Sequence, residues 1–222
     1  MALILNIETS TAICSVCLSK DGKLLDYRED RQGTSHAKLL TVFIDQLLKT
    51  NQLSPQNLDA IAVSSGPGSY TGLRIGISVA KGLCYALDKP LIAVPTLVAL
   101  AAGIEQHAND VAAFYMPCID ARRMDVYTAL YQRGKEVTPA SAVTVTEQLQ
   151  EAIIKYGNIY IGGNATEKCR RVLTHPLIRY AEGVDCDSRM MIPFAEASYN
   201  DNQFEDTAYF EPFYLKEFGQ KN

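Results

Sequence analysis

The chain has 222 residues, of which 47% are hydrophobic and 21% are charged, and its formal net charge is −4. This composition is typical of a globular protein with one large domain or two small ones. The negative charge excludes a surface that attracts nucleic acid over its whole extent. The apolar start of the chain lacks the basic region and cleavage site of a signal peptide, and no apolar run is long enough to span a bilayer, so we expect a cytoplasmic protein.

The first predicted elements are three strands of an antiparallel meander, namely Leu3–Ile7, Ile13–Leu18 and Leu24–Tyr27. Apolar and β-branched residues predict the strands, and Asp21-Gly22 predicts a hairpin between the last two. The first turn, Glu8-Thr9-Ser10-Thr11, combines a carboxylate for a hydrated Mg²⁺ with hydroxyl and N–H groups for a phosphate. It is therefore a candidate nucleotide loop.

The cysteines and histidines do not have the spacing of a metal site. Cys14 and Cys17 form a C-x2-C pair, but residues three apart on a strand point to opposite faces, and there is no second pair. We expect the six cysteines to be reduced, buried thiols. The histidines, His36, His107 and His175, lack the spacing of a helical metal site, and no serine lies in a Gly-x-Ser-x-Gly motif.

The first predicted helix has one apolar stripe. Thr34 or Ser35 is its expected N-cap, and the helix runs to Thr50. The stripe follows the spacing of a single buried helix face and consists of Leu39, Leu40, Phe43, Ile44, Leu47 and Leu48. Val42 lies away from this stripe and indicates a second contact.

The segment from Ala62 to Leu83 joins a buried strand, a sharp glycine turn and a helix. Counting from Gly66 excludes a P-loop, because no Lys-Ser or Lys-Thr follows, and excludes a dinucleotide fingerprint, because position 71 is not a glycine. Gly72, Gly76 and Ala80 are four residues apart and share one helix face. This face either packs closely on the chain's own sheet or forms a helix–helix interface with another chain.

The second half of the chain begins like the first. A strand at 91–94 and a helix at 96–107 complete the elements before it, and its own first predicted elements are a strand at 112–119, a turn at 120–123 and a strand at 125–131. Pro117 predicts that its strand is an edge strand or contains a bulge. Glu8 and Asp120 lie 112 positions apart, close to half of the 222 residues, and this spacing indicates two related halves that each start with a hairpin.

The later elements include a second junction between a strand and glycines. They are a helix at 146–156, a strand at 159–161 followed by Gly162-Gly163, helices at 167–173 and 195–199, and an aromatic tail at 209–216.

At the second hairpin turn, Ala121 and two arginines stand where small hydroxyl residues would complete a phosphate clamp, which argues against an independent kinase or ATPase. Arg122-Arg123 and Arg170-Arg171 are either ion-paired surface residues or contacts for phosphate or RNA.

Four segments resemble a known family. The block Ser65–Gly76 closely resembles the signature of the bacterial TsaB family, also called YeaZ, and Leu5–Thr11 is similar to the first turn of that family. Asp120–Tyr127 resembles its second hairpin, and Pro212–Lys216 resembles its C-terminal motif. The resemblance covers most of the first half of the chain and is thinner in the second half.

The resemblance implies an α/β fold of the actin-like ATPase (ribonuclease H-like) class, with two related lobes whose mixed β-sheets are flanked by helices. The N-terminal lobe would comprise 1–108, with the C-terminal segment 206–222 packing back, and the C-terminal lobe would comprise 109–205. Possible vestigial phosphate or nucleotide loops in this fold are formed by Glu8, Thr9, Ser10, Thr11, Asp120, Gly162 and Gly163.

The function implied by the resemblance is that of a non-catalytic scaffold and dimerisation subunit. Its complex transfers a threonylcarbamoyl group to N6 of the adenosine beside the anticodon of tRNAs that read codons beginning with A. The implied partners are a TsaD-like catalytic paralogue and a TsaE-like ATPase, which would bind the metal and ATP or ADP, with tRNA reached through the complex and a homodimer in isolation. No intrinsic cofactor and no peptidase activity are expected; the alternative is a small-molecule kinase or ATPase of the same superfamily.

The resemblance also implies that the partner surface lies on the helices at 35–50 and 71–88. The residues expected at this interface are Leu39, Phe43, Leu47, Gly72, Leu73, Gly76, Ile77, Ala80 and Leu83. The sequence does not decide which side of the second helix faces the partner, because its large apolar residues and its small residues are both suitable for a helix–helix contact.

Overall fold

The computed structural model describes residues 2–33 and 36–216, which divide into two compact units. The first unit contains the residues up to Thr96 together with Asp187–Phe213, and the second contains Leu97–Cys186 together with the described residues from Tyr214 onward. The expected lobes differ from these units, because the helix after Thr96 belongs to the second unit and residues 187–205 belong to the first. Residues 217–222 of the expected C-terminal segment lie outside the described ranges.

The secondary structure alternates strands and helices in both units. In chain order the elements are β1 (Leu3–Glu8), β2 (Cys14–Lys20), β3 (Lys23–Asp30), α1 (His36–Thr50), β4 (Ala60–Gly66), α2 (Tyr70–Leu87), β5 (Leu91–Pro95), α3 (Thr96–Ala108), β6 (Phe114–Asp120), β7 (Asp125–Gln132), β8 (Lys135–Thr144), α4 (Glu147–Ile153), β9 (Ile159–Gly162), α5 (Thr166–Arg170), β10 (Ile178–Tyr180) and α6 (Ile192–Asn200). Short 3-10 turns lie at Pro55–Asn57, Ile154–Tyr156 and Ser188–Met191.

The first unit contains a five-stranded mixed sheet in the order β3-β2-β1-β4-β5. β1 is antiparallel to β2, with Leu5 opposite Leu18, and β2 is antiparallel to β3. β4 runs parallel to β1 and to β5. The predicted N-terminal meander is therefore confirmed.

The second unit repeats this arrangement. Its sheet has the order β8-β7-β6-β9-β10, with an antiparallel meander on one side of β6 and two parallel strands on the other. The identical order and directions confirm the two related halves that the spacing of Glu8 and Asp120 indicates. β8 and β10 are absent from the sequence prediction, because β8 is largely polar and contains Pro139 and β10 has only 3 residues.

The prediction that Pro117 marks an edge strand or a bulge is wrong. Pro117 lies in β6, the central strand of its sheet, and it is paired with Gly162 of β9. A proline has no N–H to donate to a neighbouring strand. On the other side of β6, no pair with β7 is described between Tyr115–Tyr131 and Cys118–Thr128. Pro117 lies in this interval.

The core of the first unit lies between its sheet and the helices α1 and α2. The predicted stripe of α1 supplies four fully buried residues, which are Leu40, Ile44, Leu47 and Leu48. Leu39 and Phe43 are only half-buried at the border of this core. The expected N-cap of α1, Thr34 or Ser35, lies outside the described residues. The amphipathic spacing therefore predicts which side of α1 faces the sheet.

The C-terminal segment of the first unit packs along α2. Phe210 packs against the core, and the Lys81 ammonium donates to the carbonyl oxygens of Ala208 (3.1 Å) and Phe210 (3.2 Å). The Phe213 N–H donates to the Ser65 carbonyl at 2.8 Å. The aromatic tail is thus held by hydrogen bonds to its backbone and by the packing of Phe210, whereas Tyr209 and Phe213 stay exposed. Among the helices in the described ranges, none combines the length and the apolar character that crossing a lipid bilayer requires.

Candidate functional site

The first candidate loop, Glu8–Thr11, is buried. All four of its residues have at most 4% of their surface exposed. The Ser10 N–H donates to Glu8 Oε1 at 2.6 Å, and the Thr9 N–H donates to Ser64 Oγ at 3.5 Å. The N–H groups of Thr9 and Ser10, which could otherwise bind a phosphate, therefore donate to the chain itself, whereas the buried Ser10 hydroxyl has no hydrogen-bond partner among the described residues.

The glycine segment closes this loop. The Ser69 N–H donates to the Ser10 carbonyl at 2.6 Å, and Thr9 Oγ1 donates to the Gly72 carbonyl at 2.8 Å. A Cβ atom at Gly68 would overlap the carbonyl oxygen of Ser10, and one at Gly72 would overlap that of Thr9. The backbone can approach this closely only because Gly68 and Gly72 have no side chain.

The next glycine on the same helix face serves the same contact. A Cβ atom at Gly76 would overlap Thr9 Oγ1, which is itself held in place by its hydrogen bond to α2. On the α1 side, the His36 Nε2–H donates to the Thr11 carbonyl at 2.7 Å. Of the two interpretations of the small-residue face, the structure therefore supports close packing within the chain.

This packing bears on the expected partner interface, which itself stays a prediction. Six of its nine residues are buried inside the first unit, namely Leu47, Gly72, Leu73, Gly76, Ile77 and Ala80. The other three, Leu39, Phe43 and Leu83, are half-buried at the border of the core. The six buried residues are not available to another chain, because they already contact the sheet and the first turn.

The outward side of the same two helices offers a different apolar face. On α2, Ile75, Val79, Gly82 and Ala86 follow the spacing of one helix side and are half-buried or exposed. No atom would lie within 4 Å of a Cβ added at Gly82. On α1, Val42 is 45% exposed beside the half-buried Leu39 and Phe43. We call these seven residues the outer face.

The carboxyl group of Glu8 is held in an unfavourable environment for its charge. Burial raises its pKa above the ordinary value, hydrogen bonds from Ser10 and Ser64 lower it, and the nearby negative charge of Asp187 raises it further. Desolvation has the largest effect because the ionised form loses its water. Folding therefore favours the protonated form of Glu8.

The second candidate loop, at Asp120, is neutralised by a lysine that the sequence analysis missed. Lys168 of α5 forms an ion pair with Asp120 Oδ2 at 3.1 Å and also donates to the carbonyl oxygens of Arg123 (3.0 Å) and Asp125 (2.7 Å). Its side chain is only 12% exposed. A predicted helix with charged neighbours gives no signal that one lysine turns inward, so this role was not visible in the sequence.

The glycines expected in a nucleotide loop of the second unit have packing roles. A Cβ atom at Gly162 would lie 2.6 Å from Ile104 Cγ1, and one at Gly163 would overlap the Cys118 carbonyl. The Asp120 N–H donates to Asn164 Oδ1 at 2.9 Å, so Asp120 and the Gly162–Asn164 segment do lie together. Gly163 also has φ of +110°, a conformation that side chains rarely adopt.

A cavity of about 200 Å³ in the second unit has no residue of the second candidate loop in its lining. Its lining is mainly apolar, with Leu130, Val143 and Ile153 among the contributors, and Thr138 and Ser141 supply hydroxyl groups. None of the lining residues is charged. The cavity therefore lacks the cationic groups that hold the phosphates of a nucleotide.

The chain matches a family model over most of its length. The model is described as TsaD, tRNA N6-adenosine threonylcarbamoyltransferase, and it matches residues 31–187. A relative from Haemophilus influenzae, the tRNA threonylcarbamoyladenosine biosynthesis protein TsaB, is 39% identical over 134 residues, or 60% of this chain and 55% of the relative. The chain thus matches little more than half the length of this curated relative.

Solved structures confirm the predicted fold class, the actin-like ATPase fold. YeaZ from Pseudomonas aeruginosa superposes with a TM-score of 0.82 and 25% identity, over 97% of this chain and 100% of that one. An activator of 2-hydroxyisocaproyl-CoA dehydratase from Clostridium difficile, solved with ADPNP, has a TM-score of 0.54 and 8% identity over 92% of this chain and 98% of that one. The second likeness concerns the fold alone.

The contact between α2 and the first turn leads to a stability prediction. Gly72→Ala should lower the free energy of unfolding by about 1–3 kcal/mol, because the added methyl group overpacks against the Thr9 backbone. Gly82→Ala on the same helix is the matched control, and it should be neutral or stabilise by up to about 1 kcal/mol, since its Cβ enters open space. Urea unfolding measures both. Equal midpoints for the two variants would contradict the close packing.

The buried carboxyl group leads to a prediction of pH dependence. In the wild type, the raised pKa of Glu8 gives stability that is present below its ordinary value of 4.5 and is lost as the pH rises through the folded-state pKa. Glu8→Gln keeps an oxygen for the Ser10 N–H but does not ionise. The variant should therefore gain stability relative to the wild type as the pH rises above the ordinary value of 4.5, as followed by urea unfolding. A difference that is constant with pH would refute this.

Proposed function

The chain belongs to the TsaB (YeaZ) family, within the larger family of the tRNA N6-adenosine threonylcarbamoyltransferase model, and on this premise we propose that it is a non-catalytic subunit of the machinery that makes threonylcarbamoyladenosine in tRNA. Its complex transfers the threonylcarbamoyl group to N6 of the adenosine beside the anticodon. The role of this chain is to hold and orient the catalytic partner. Since the substrate is tRNA, we place this activity in the cytoplasm.

One observation carries the non-catalytic role: the first turn is closed by the chain's own helix. The Ser10 carbonyl accepts from the Ser69 N–H, and the Thr9 hydroxyl donates to the Gly72 carbonyl. A catalytic phosphate loop instead presents its N–H and hydroxyl groups to the ligand. In the second unit, Lys168 neutralises the carboxylate of Asp120, which supports the same interpretation.

The proposed partners follow from this division of labour. We propose that a TsaD-like paralogue supplies the catalytic site and the metal, that a TsaE-like ATPase acts in the same complex, and that ATP or ADP binds to those subunits. tRNA would reach this chain within the complex. In isolation, two copies of the chain would pair through the surface that otherwise receives the paralogue.

The proposed partner surface is the outer face of α1 and α2. It presents apolar side chains of both helices, with Val42 45% exposed, and a glycine at its centre that leaves room for another backbone. Two helices that each expose an apolar side can be covered by two helices of a partner, and the four then share one core. A glycine in such a contact allows a close helix crossing.

The proposed function predicts a change in the nucleosides of cellular tRNA. Depleting this chain in its host should lower the threonylcarbamoyladenosine content, measured by mass spectrometry of digested tRNA. Wild type and Glu8→Gln should both restore it, because Glu8 has no catalytic role in this proposal. An unchanged content after depletion would contradict the proposed function, and failure of Glu8→Gln despite normal folding would contradict the non-catalytic role.

The proposed interface predicts the effect of two surface substitutions. Val42→Glu and Gly82→Gln should each weaken binding of the TsaD-like paralogue at least about tenfold, because they put a charge or a bulky polar group into the contact. Their unfolding midpoints should stay close to that of the wild type, since both positions are exposed. Val111→Glu, at an apolar position that is 67% exposed in the second unit, is the matched control. Calorimetric titration with the paralogue gives the affinities, and equal affinities for all variants would exclude this face.

A further inference from the structure

The cavity in the second unit lies between the sheet and the short helix α4. Residues of β6, β7 and β8 line one side, and residues of α4 and the following 3-10 turn line the other. Protein cores contain few voids larger than a water molecule, so a mainly apolar space of about 200 Å³ is unusual packing. Ala152 and Tyr156 of the lining are exposed, so the cavity reaches the surface and a ligand can enter it from solvent.

A β-bulge makes room for the cavity. After the pair of Thr128 with Ser141, β7 continues with one residue and β8 with two before the next pair is described. Such a bulge bends its strand and redirects side chains, and bulges are frequent beside active sites. Three lining residues around it, Ala129 and Ser141 on the strands and Ala152 on the helix, have small side chains, which leaves the space between helix and sheet unfilled.

The Ser141 hydroxyl is the polar group that the cavity offers to a ligand. Ser141 lies opposite Thr128, and residues opposite each other on paired strands share one face of the sheet. Thr128 Oγ1 accepts from Cys118 Sγ at 3.8 Å. Thr138 Oγ1 accepts from the Leu130 N–H at 3.0 Å. In the part of the chain that the structure describes, the half-buried Ser141 hydroxyl has no such partner.

The apolar part of the lining suits one aromatic ring. Met116 is only 2% exposed, and a thioether makes favourable contacts with aromatic rings about 5 Å away. Leu130 and Ile153 add apolar surface. An engineered cavity of about 150 Å³ in another protein binds benzene, so this cavity has room for one ring with a small substituent. A charged substituent would lose its water without gaining a partner, because no lining residue is charged.

We infer that this cavity is a binding site for a small neutral aromatic molecule that carries a hydroxyl group, as phenol does. The ring lies against Met116, Leu130 and Ile153, and the hydroxyl group forms a hydrogen bond with Ser141 Oγ. The inference does not depend on the proposed function, because the lining belongs entirely to the second unit and needs no partner chain. A side chain of a partner protein is the competing occupant, and the test separates the two.

Methionine-methyl NMR of the full chain measures the binding of phenol, toluene and benzoate. Phenol should shift the Met116 methyl signal with a dissociation constant of about 1 mM, the range expected for so small a ligand. The signal of Met124, which does not line the cavity, should stay in place. Benzoate should bind at least about tenfold more weakly than phenol, because its charge has no partner in the lining.

Ser141→Ala separates the contribution of the hydroxyl group from that of the ring. The variant should weaken phenol binding about fivefold and leave toluene binding unchanged, because only phenol uses the hydrogen bond. Thr144→Ala is the matched control, since it removes a hydroxyl group from the same strand outside the cavity. It should leave both affinities at their wild-type values.

Ala152→Phe places a ring at the edge of the cavity, and it should weaken the binding of phenol and toluene more than about tenfold. Glu151→Phe adds the same ring at an exposed neighbouring position outside the lining, and it should bind both ligands as the wild type does. Should Ala152→Phe fail to fold, the comparison of phenol with toluene in Ser141→Ala still decides.

Each of four results would overturn the inference. The first is a Met116 signal that phenol does not shift, and the second is benzoate binding as tight as that of phenol. The third is a loss of affinity in Ser141→Ala that toluene shares. The fourth is a wild type that ignores phenol while Ala152→Phe alone loses binding of the TsaD-like paralogue, which would assign the cavity to a partner's side chain. The NMR measurements use this chain alone, so a negative result there leaves the proposed function intact.

Discussion

The close contact between α2 and the first hairpin turn constrains the first unit more than any other interaction. Thr9 and Ser10 lie directly against the backbone of Gly68 and Gly72, so the turn, the glycine segment and the helix must form together. This contact fixes which side of α2 faces inward. It thereby also determines which apolar residues of α1 and α2 remain outside, and it uses the Thr9 hydroxyl, which a phosphate-binding loop would need.

The second unit has the same strand order, but a different interaction occupies its hairpin turn. There, the ammonium group of Lys168 binds two carbonyl oxygens and one carboxylate, as an internal cation would. Such partners stabilise a lysine whose side chain is only 12% exposed, because its charge has lost part of its contact with water. In both units, therefore, several groups at the turn bind to the chain itself, although the buried Ser10 hydroxyl has no hydrogen-bond partner among the described residues.

Much of this fold can be predicted from the sequence, because it depends on local patterns. The spacing of Glu8 and Asp120 predicts the two related halves, and the stripe around Ile44 predicts the inner side of α1. The direction of the small-residue face of α2 could not be predicted, because a glycine fits equally well against its own sheet or another helix. The inward turn of Lys168 depends on carbonyl groups more than forty residues away in the chain, and no local pattern encodes it.

Hydrogen exchange of the chain alone and in the presence of the TsaD-like paralogue tests the central claim most directly, because exchange reports each helix separately. If the outer face is the partner surface and the first turn is closed within the chain, α1 (His36–Thr50) and α2 (Tyr70–Leu87) should gain protection in the complex. The peptide that contains Glu8–Thr11 should already be protected in the free chain. Protection centred away from these helices, or a first turn that exchanges freely until ATP is added, would contradict the account.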